Sequence, residues 1–246
     1  MINLKENENL DDLQNSYYII QKNNSFKFGT DAVLLADFAK ECKKNKILDL
    51  CSGTGIIPIL LAAKTNAYNI CGLEIQEEMW EMSCRSVEYN KLESRVKMYC
   101  GDLKNCKEIF TPHSFDAVTC NPPYMKSGSN VKNIPESIMI SRHECMCNIE
   151  DVIKAAADML IFKGSLYMVH RPSRIADIIC AMRKFSIEPK LIRFVHPYDG
   201  KEPVLVLVKA TYHGGSDLKI MPPMYIYEKD GKYTKELDII YNGKGL

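Results

Sequence analysis

FDAVTCNPPY, residues 115–124, is the stretch that decides the fold of this sequence. Its first part, Phe115–Cys120, alternates apolar and β-branched residues in the way a buried strand does. The strand ends at Asn121, because Pro122 and Pro123 cannot donate the backbone hydrogen bonds that would extend it. A residue before proline is also driven to extended geometry, so the Asn121 amide has little freedom. This pattern predicts a site that depends on the placement of chemical groups.

A strand–turn–helix pattern repeats on both sides of this stretch. Strands are predicted at 47–50, 69–74, 96–100, 115–120 and 164–170, and helices at 56–64, 76–90, 151–160 and from past Ser173 to about Phe185. Strands separated by helices require right-handed crossovers and a parallel sheet. Two further strands, 190–196 and 204–211, are spaced for a hairpin. The predicted fold is α/β, with a doubly wound, Rossmann-like, mostly parallel sheet and an antiparallel edge hairpin.

The segment before this pattern is predicted to be an extension. Residues 1–15 are polar and acidic, as in a frayed or loosely docked tail, and residues 16–21 have the pattern of a short strand. Thr30 is a candidate N-cap for the helix that follows it. The predicted organisation is an N-terminal extension (1–30) and one domain (31–246), with a long loop (125–148) and a C-terminal tail (212–246) that contains a hairpin turn at Asp230-Gly231.

The composition excludes several classes of protein. With 46% hydrophobic residues and a net charge of +1, the 246-residue chain has an ordinary core and no large basic field, so a nucleic-acid contact must use a local patch. The longest apolar run, IIPILLAA, is short and interrupted by Pro58, and the N-terminus does not resemble a signal peptide. We therefore expect a cytoplasmic protein without a membrane span.

The ten cysteines are expected to be reduced thiols that pack in the core. Most lie in apolar runs: Cys51, Cys71, Cys100, Cys120 and Cys180. The HECMC stretch at 143–147 suggests a metal site, but no second cluster completes four ligands. No metal is therefore predicted.

The predicted strand ends carry the candidate binding residues. Ligands of such sheets bind beyond the carboxyl ends of the strands. The first strand leads into DLCSGTG, 49–55, whose glycines let a ligand approach the backbone closely. The next strands end at Glu74, at Asp102 and at Asn121, and Glu74 lies 21 residues past Gly53, the separation at which an acid accepts hydrogen bonds from ribose. This ordered set predicts a bound nucleoside, although the glycines alone would suit an ordinary turn.

The missing features narrow the choice of nucleoside. A dinucleotide motif requires a third glycine where this chain has Pro58, and no triphosphate-binding GxxxxGK[ST] motif is present. A carboxylate at Asp49 would repel a pyrophosphate, whereas it suits a cationic amino or sulfonium group.

These motifs resemble those of S-adenosylmethionine-dependent methyltransferases of the N-P-P-Y type, which modify amino groups. The resemblance rests on DLCSGTG, Glu74, Gly101-Asp102 and NPPY. It implies that Gly53 and Gly55 line the methionine and ribose, that Glu74 holds the ribose hydroxyls and that Asp102 meets the adenine. The implied cofactor-binding set is Thr30, Asp49, Cys51, Gly53, Gly55, Glu74, Ile75, Asp102, Leu103 and Asn121.

The chain is further similar to the bacterial family that methylates N6 of an adenine beside the anticodon of valine tRNA. This likeness covers about residues 16–245 and rests on FKFGTDAVLLADFA, SRHE and HPYDGKEPVLVLVKATYHGG. It implies a tRNA substrate, with S-adenosylmethionine as the cofactor. No obligate protein partner or membrane is expected; we expect a monomer, with a dimer left open.

The adenine amino group is a poor nucleophile, because its lone pair is shared with the ring. If the Asn121 side-chain oxygen and the Pro122 carbonyl accept its hydrogens, they favour a tetrahedral nitrogen, and no separate base is required. Tyr124 is expected to stack on the unpaired base. The loop at 125–148 is predicted to be a substrate lid, although an ordinary surface loop remains the alternative. The predicted substrate-binding set is Pro123, Tyr124, Lys126, Arg142 and His143, and a weaker suggestion extends it with a phosphate track at Lys190, Arg193 and Lys201.

Other functions remain open at this point. The NPPY motif also resembles the methyltransferases that modify a glutamine amide of release factors, but those have a helical domain for which residues before Thr30 leave no room. DNA adenine methylation usually requires a target-recognition domain. A cofactor- or RNA-binding scaffold without catalysis is a third alternative, which the intact Asn121 and Glu74 disfavour.

Overall fold

The computed structural model describes residues 4–13, 16–22, 29–40, 45–123 and 147–242. Its strands are β1 (Glu8–Asp12), β2 (Tyr18–Lys22), β3 (Lys46–Leu50), β4 (Asn69–Glu74), β5 (Val96–Cys100), β6 (Phe115–Cys120), β7 (Leu160–His170), β8 (Ile187–His196), β9 (Leu205–Tyr212), β10 (Lys219–Ile220) and β11 (Met224–Tyr225). Its helices are α1 (Thr30–Ala39), α2 (Ile56–Lys64), α3 (Glu77–Tyr89), α4 (Cys106–Ile109), α5 (Ile149–Met159), α6 (Ile175–Lys184) and α7 (Lys235–Asn242).

A nine-stranded sheet forms the centre of the fold. Its strand order is β10-β8-β9-β7-β6-β3-β4-β5, and β11 pairs with β8. The strands from β7 to β5 in this order are parallel to one another, and β9 is antiparallel to both β7 and β8. β6 lies beside β3, where the strand order reverses. The predicted doubly wound α/β fold is therefore confirmed.

The sheet is covered by helices on both faces. One hydrophobic cluster joins the sheet to α1, α2 and α7, and the other joins the opposite face to α4, α5 and α6. Alternate residues of the central strands point to opposite faces and pack in different clusters. Ala117 belongs to the first cluster, and Val118 and Cys120 belong to the second. The edge at which the parallel strands end, here called the carboxyl edge, therefore carries the α1 face on one side and the α5 face on the other.

The N-terminal extension forms a hairpin that is docked on α3. β1 and β2 pair antiparallel, and Ile19 and Ile20 are fully buried. The Ile20 amide donates to Ser86 Oγ at 3.0 Å, and Arg85 donates two hydrogen bonds to the Glu8 carboxylate at 2.8 and 2.6 Å. The prediction of a frayed or loosely docked tail is thus wrong for Glu8–Asp12, because strand pairing and this ion pair order polar residues that show no sequence periodicity.

Replacing Arg85 is expected to destabilise the protein. The Glu8 side chain is only 2% exposed, so Arg85→Ala leaves a buried carboxylate that keeps the Lys5 amide but loses its charged partner Arg85, at a cost of about 2 kcal/mol. Thermal unfolding should then occur roughly 4–8 °C lower. Arg183→Ala breaks an exposed pair with Glu188 and should change the melting temperature little. Equal melting temperatures for the two variants would show that the ion pair does not hold the hairpin.

The C-terminal segment differs in part from the prediction. The β8–β9 hairpin is confirmed, but β10 and β11 lie outside it, so the hairpin is not the edge of the sheet. The turn at Asp230-Gly231 is present, with Gly231 at a φ of 82° and the Glu228 amide bonded to the Lys232 carbonyl at 2.8 Å. The helix α7 was not predicted.

Two sequence predictions need correction in where an element begins. The N-cap of α1 is Gly29, and Thr30 is already the first helical residue. β7 begins at Leu160, because α5 ends at Met159 and the strand starts without an intervening loop. Pro58 is tolerated inside α2, since the amides of a first helical turn have no partner to lose.

The cysteines are less uniformly buried than predicted. The described ones are all free thiols; Cys71, Cys106 and Cys120 are buried, whereas Cys100 and Cys180 are exposed, so core packing is wrong for these two. Within the described ranges, no helix has both the length and the apolar character that a membrane span requires.

Candidate active site

The turn after β3 is the first part of the site. The Ser52 amide donates to the Leu73 carbonyl at 3.1 Å, and Cys51, Gly53 and Gly55 have positive φ values of 59°, 53° and 86°. A side chain at Gly55 would meet Ser83 Cβ at 3.0 Å, so only glycine fits there without strain. At Gly53 nothing lies within 4 Å of an added Cβ among the described residues, so this face of the turn is open to a ligand.

Glu74 joins this turn to the end of β4. Its carboxylate accepts the Gly53 amide at 2.8 Å and the Gln76 amide at 2.9 Å, and the residue is only 4% exposed. Burial raises the pKa of Glu74, against the hydrogen bonds that lower it. The groups that lower it are the Gly53, Ile75 and Gln76 amides and the Gln76 side chain, so a ligand hydroxyl would share this carboxylate with neighbouring residues.

Asp49 is fully buried behind the turn. Thr119 Oγ1 donates to Asp49 Oδ1 at 2.6 Å, but Oδ2 has no partner among the residues that the structure describes. Burial raises the pKa of Asp49 from 3.8 to about 7, although the Thr119 hydrogen bond lowers it. A buried carboxylate oxygen without a partner is costly, so this atom marks a place for a cation or a donor.

The Asn-Pro-Pro turn follows directly beside this carboxylate. Cys120 pairs with Leu50 of β3, so Asn121 lies level with Cys51, the first residue of the turn after β3. Alternation along β6 puts Asn121 on the same face as Thr119, which is the α1 face. Asn121 is half-buried, Pro122 is buried and Pro123 is exposed.

The remaining predicted residues are distributed as follows. Asp102 follows β5, accepts the Lys104 amide at 2.9 Å and keeps 29% of its side chain exposed, while Leu103 is buried. Ile75 is half-buried next to Glu74, and the hydroxyl of Thr30 lies 3.3 Å from that of Tyr241. Tyr124, Lys126, Arg142 and His143 lie outside the described residues, as does most of the 125–148 loop.

The structure thus brings most of the set to one edge. Asp49, Cys51, Gly53 and Glu74 form one connected unit, and the Gly101 amide ties the end of β5 to the Glu74 carbonyl at 2.9 Å. Thr119 was missed by the sequence reasoning. The spacing in sequence could have identified it, because a residue two positions before Asn121 in a strand lies on the same face of the sheet as Asn121.

Two cations of the suggested phosphate track have partners within the chain. Arg193 donates to the Glu236 carboxylate at 2.7 and 2.9 Å, which anchors α7 to β8. Lys190 donates to the carbonyls of Gly215 and Ser216. Both side chains are thus engaged in holding the C-terminal segment, which disfavours their use as phosphate ligands.

Comparison with known proteins identifies the family of this chain. The sequence pattern of the methyltransferase small domain family matches residues 22–182. The chain belongs to this methyltransferase family. Its methyl donor is S-adenosylmethionine, as the sequence motifs predicted.

Individual relatives agree with this assignment. A tRNA1(Val) (adenine(37)-N6)-methyltransferase from Flavobacterium psychrophilum is 31% identical to this methyltransferase over 70% of the chain and 73% of that protein. One with the same name from Dyadobacter fermentans is 26% identical over 84% of the chain and 85% of that protein. Among solved structures, a predicted O-methyltransferase from Agrobacterium tumefaciens has a TM-score of 0.72 at 25% identity, covering 87% of this chain and 97% of that one. The Rossmann-like fold and the resemblance to bacterial tRNA adenine-N6 methyltransferases are confirmed.

The residues present in this methyltransferase fit S-adenosylmethionine. Asp49 Oδ2, which has no partner in the part of the chain that the structure describes, suits the ammonium of the methionine part, and the open face at Gly53 leaves room for the ligand against the backbone. The Glu74 carboxylate adjoins this open face, since it accepts the Gly53 amide.

Glu74→Ala is expected to weaken S-adenosylmethionine binding. The loss of charged hydrogen bonds to ribose costs about 1.5–3 kcal/mol, which corresponds to roughly a 10- to 100-fold higher Kd by calorimetry. Glu77→Gln changes an exposed acid in the first turn of α3 and should leave the Kd within about twofold. An unchanged Kd for Glu74→Ala would remove this residue from the site.

Proposed function

We propose that this methyltransferase transfers a methyl group to N6 of an adenine in tRNA, and that Asn121 and Pro122 position the acceptor nitrogen. The names of the relatives support the substrate, and the location of the Asn-Pro-Pro turn supports the chemistry. By the same names, the expected target is adenine 37 of a valine tRNA.

The cofactor-holding residues of this proposal lie on β3, β4 and β5. Asp49 Oδ2 would hold the ammonium, Glu74 would hold the ribose hydroxyls, and Asp102 would hold the adenine amino group of the cofactor. Gly53 and Gly55 let the backbone approach it. When bound, S-adenosylmethionine supplies a methyl group on a positively charged sulfur.

The acceptor-positioning residues lie at the end of β6. The Asn121 side-chain oxygen and the Pro122 carbonyl accept the two hydrogens of the target amino group. This withdraws the nitrogen lone pair from the ring and directs it toward the methyl group. With S-adenosylmethionine held there, this nitrogen would take the methyl group as the S–C bond breaks, and it would then release one proton to water. Tyr124 is proposed to stack on the target base.

One observation carries the proposal. The register of β3 and β6 pairs Leu50 with Cys120, so the turn that begins at Cys51 and the Asn-Pro-Pro turn start side by side. The Thr119–Asp49 hydrogen bond links the strands that carry these two turns. The residues proposed to hold the methyl donor and the acceptor nitrogen therefore begin a single strand spacing apart, about 5 Å.

The direct test is to identify the methylated product. The protein is incubated with labelled S-adenosylmethionine and either unmodified total tRNA or a release factor, and the products are digested and separated. Labelled N6-methyladenosine from tRNA is the expected result. Label in glutamine of the release factor, with none in tRNA, would replace this proposal with the amide reaction.

A cytoplasmic location and a monomeric state belong to the same proposal. Sedimentation of the purified protein with and without tRNA would test the second, since a monomer should form a complex of one chain with one tRNA.

A further inference from the structure

The carboxyl edge has two halves, and the cofactor residues occupy one of them. Asp49, Glu74 and Asp102 lie at the ends of β3, β4 and β5, on one side of β6. β7, β9 and β8 lie on the other side. An acceptor that reaches Asn121 while the cofactor is bound must therefore extend over the β7–β8 half.

The end of β7 places an arginine beside the Asn-Pro-Pro turn. Cys120 pairs with Met168, so continuing this register puts His170 level with Pro122 and Arg171 level with Pro123. Arg171 is exposed and its backbone is extended, so alternation keeps it on the face of Tyr167 and Val169, which is also the face of Asn121.

His170 fixes the backbone at this point. It is buried, and its Nδ1 accepts the Arg171 amide at 2.8 Å. Burial, with the nearby Arg174 and Arg171, lowers the pKa of His170 to about 4, so the ring stays neutral and keeps accepting this hydrogen bond near pH 7. The backbone position of Arg171 is thus fixed by the His170 ring, which does not change its charge near pH 7.

The end of β8 places a tyrosine on the same edge. β7 and β8 are both antiparallel to β9, so they end at the same edge, with His170 and Phe194 both level with Val206. Tyr198 follows β8 and is 39% exposed, and its ring packs on Tyr227 with 5.3 Å between centroids.

Tyr198 is the outer end of a row of rings. Tyr227 stacks on Tyr233 with 5.5 Å between centroids, and Tyr233 stacks on Tyr241 with 5.7 Å between centroids. Tyr227 and Tyr241 pack against the core on the α1 face. The row therefore supports Tyr198 from behind, which reduces the entropy lost when a base stacks on it.

We propose that Arg171 and Tyr198 form the contact surface for the tRNA loop that carries the target adenine. Arg171 binds a backbone phosphate next to the target, and Tyr198 stacks on an unpaired neighbouring base. Only β9 separates β7 from β8, so these two strands lie about 10 Å apart. Arg171 is level with Val195, and Tyr198 follows three residues later, so both residues are within reach of one RNA loop. This inference rests on the proposed function and assigns the residues that hold its substrate.

The two contacts have different salt signatures. Arg171→Gln should raise the Kd for unmodified tRNA about tenfold and reduce the slope of log K against log[salt] by about 0.7–1, because one phosphate contact is lost. Arg171→Lys should restore the slope. Tyr198→Leu should raise the Kd roughly 5- to 100-fold and leave the slope unchanged, because stacking releases no counterions.

Matched controls come from the opposite edge of the sheet. Arg183 is exposed at the end of α6, and Tyr68 is 64% exposed just before β4. Arg183→Gln and Tyr68→Leu should leave the tRNA affinity within about twofold. All variants should bind S-adenosylmethionine like the unmodified protein, which shows that they are folded.

The outcomes separate this inference from the function on which it rests. Methylation of tRNA by the unmodified protein, with an unchanged Kd and salt slope for Arg171→Gln and Tyr198→Leu, overturns the surface and keeps the function. Equal losses in the Arg183 and Tyr68 variants overturn it as well, because binding would then be non-specific. No methylation of tRNA by the unmodified protein overturns the function itself.

Discussion

Asn121→Ala should reduce methyl transfer at least 100- to 1000-fold while the Kd for S-adenosylmethionine stays within about threefold. The variant removes the acceptor that holds one amino hydrogen, and groups of this kind contribute roughly this factor to catalysis. Cofactor binding should survive, because the described contacts of the turn and of Asp49 and Glu74 involve other atoms. Single-turnover rates with saturating tRNA and calorimetry with cofactor alone measure the two effects.

Two further variants make this test specific. Asn121→Gln keeps the amide but moves it by one methylene, so a rate close to that of Asn121→Ala is expected if placement is what matters. Asn105→Ala changes an exposed asparagine on the cofactor half and should react at the normal rate. Full turnover by Asn121→Ala would refute the role of the amide as acceptor.

Asp49→Asn should stabilise the cofactor-free protein at pH 8 while weakening cofactor binding. Because burial raises the pKa of Asp49 to about 7, the folded protein keeps a proton between about pH 4 and pH 7 that the unfolded chain has released. Stability from this group therefore falls as the pH rises through this window, and the loss is complete above pH 7. The variant does not titrate, so it should gain up to about 4 kcal/mol at pH 8.

The affinity for S-adenosylmethionine should change with pH in the opposite sense. Its ammonium pairs with the ionised Asp49, so binding by the unmodified protein should weaken by up to tenfold per unit as the pH falls below about 7. Asp49→Asn should bind more weakly at pH 8 and should lose this dependence. Asp158→Asn, at a surface ion pair, should keep it. Chemical denaturation at pH 5.5 and pH 8 measures the change in stability, and calorimetry at the same pH values measures the change in cofactor affinity. Equal stability of Asp49→Asn and the unmodified protein at pH 8 would contradict the destabilising effect of a buried charge at Asp49.

The elements that carry the site could be predicted from sequence because their signals are local. The bounds of β4, β5, β6 and α2 agree with the prediction, since each is a short apolar run that ends at a glycine, a proline or a charged residue. The strand β1 and the helix α7 have no such signal. They are polar segments that become ordered through partners distant in sequence, such as Arg85 for Glu8 and Arg193 for Glu236.

In the candidate site too, features with a local sequence signal could be predicted and features that depend on distant residues could not. Strand-end positions identified Asp49, Glu74 and Asn121, because parallel strands bring their last residues to one edge. The Gly53–Glu74 hydrogen bond agrees with their spacing in sequence. The raised pKa of Asp49 could not be predicted, because it depends on complete burial and on a hydrogen bond from the Thr119 hydroxyl, 70 residues away in the sequence.

The contact between Tyr241 and Thr30 has a consequence for biosynthesis. These residues lie 211 positions apart, and the Lys64 ammonium similarly donates to the Ile240 carbonyl across 176 positions. At a translation rate of about 5–20 residues per second, the ribosome needs roughly 10–40 s between making α1 and making α7. During this interval the surface of α1 that α7 later covers is exposed to water and to chaperones. A nascent chain stalled before residue 235 should therefore be more sensitive to protease at α1 than the released protein is.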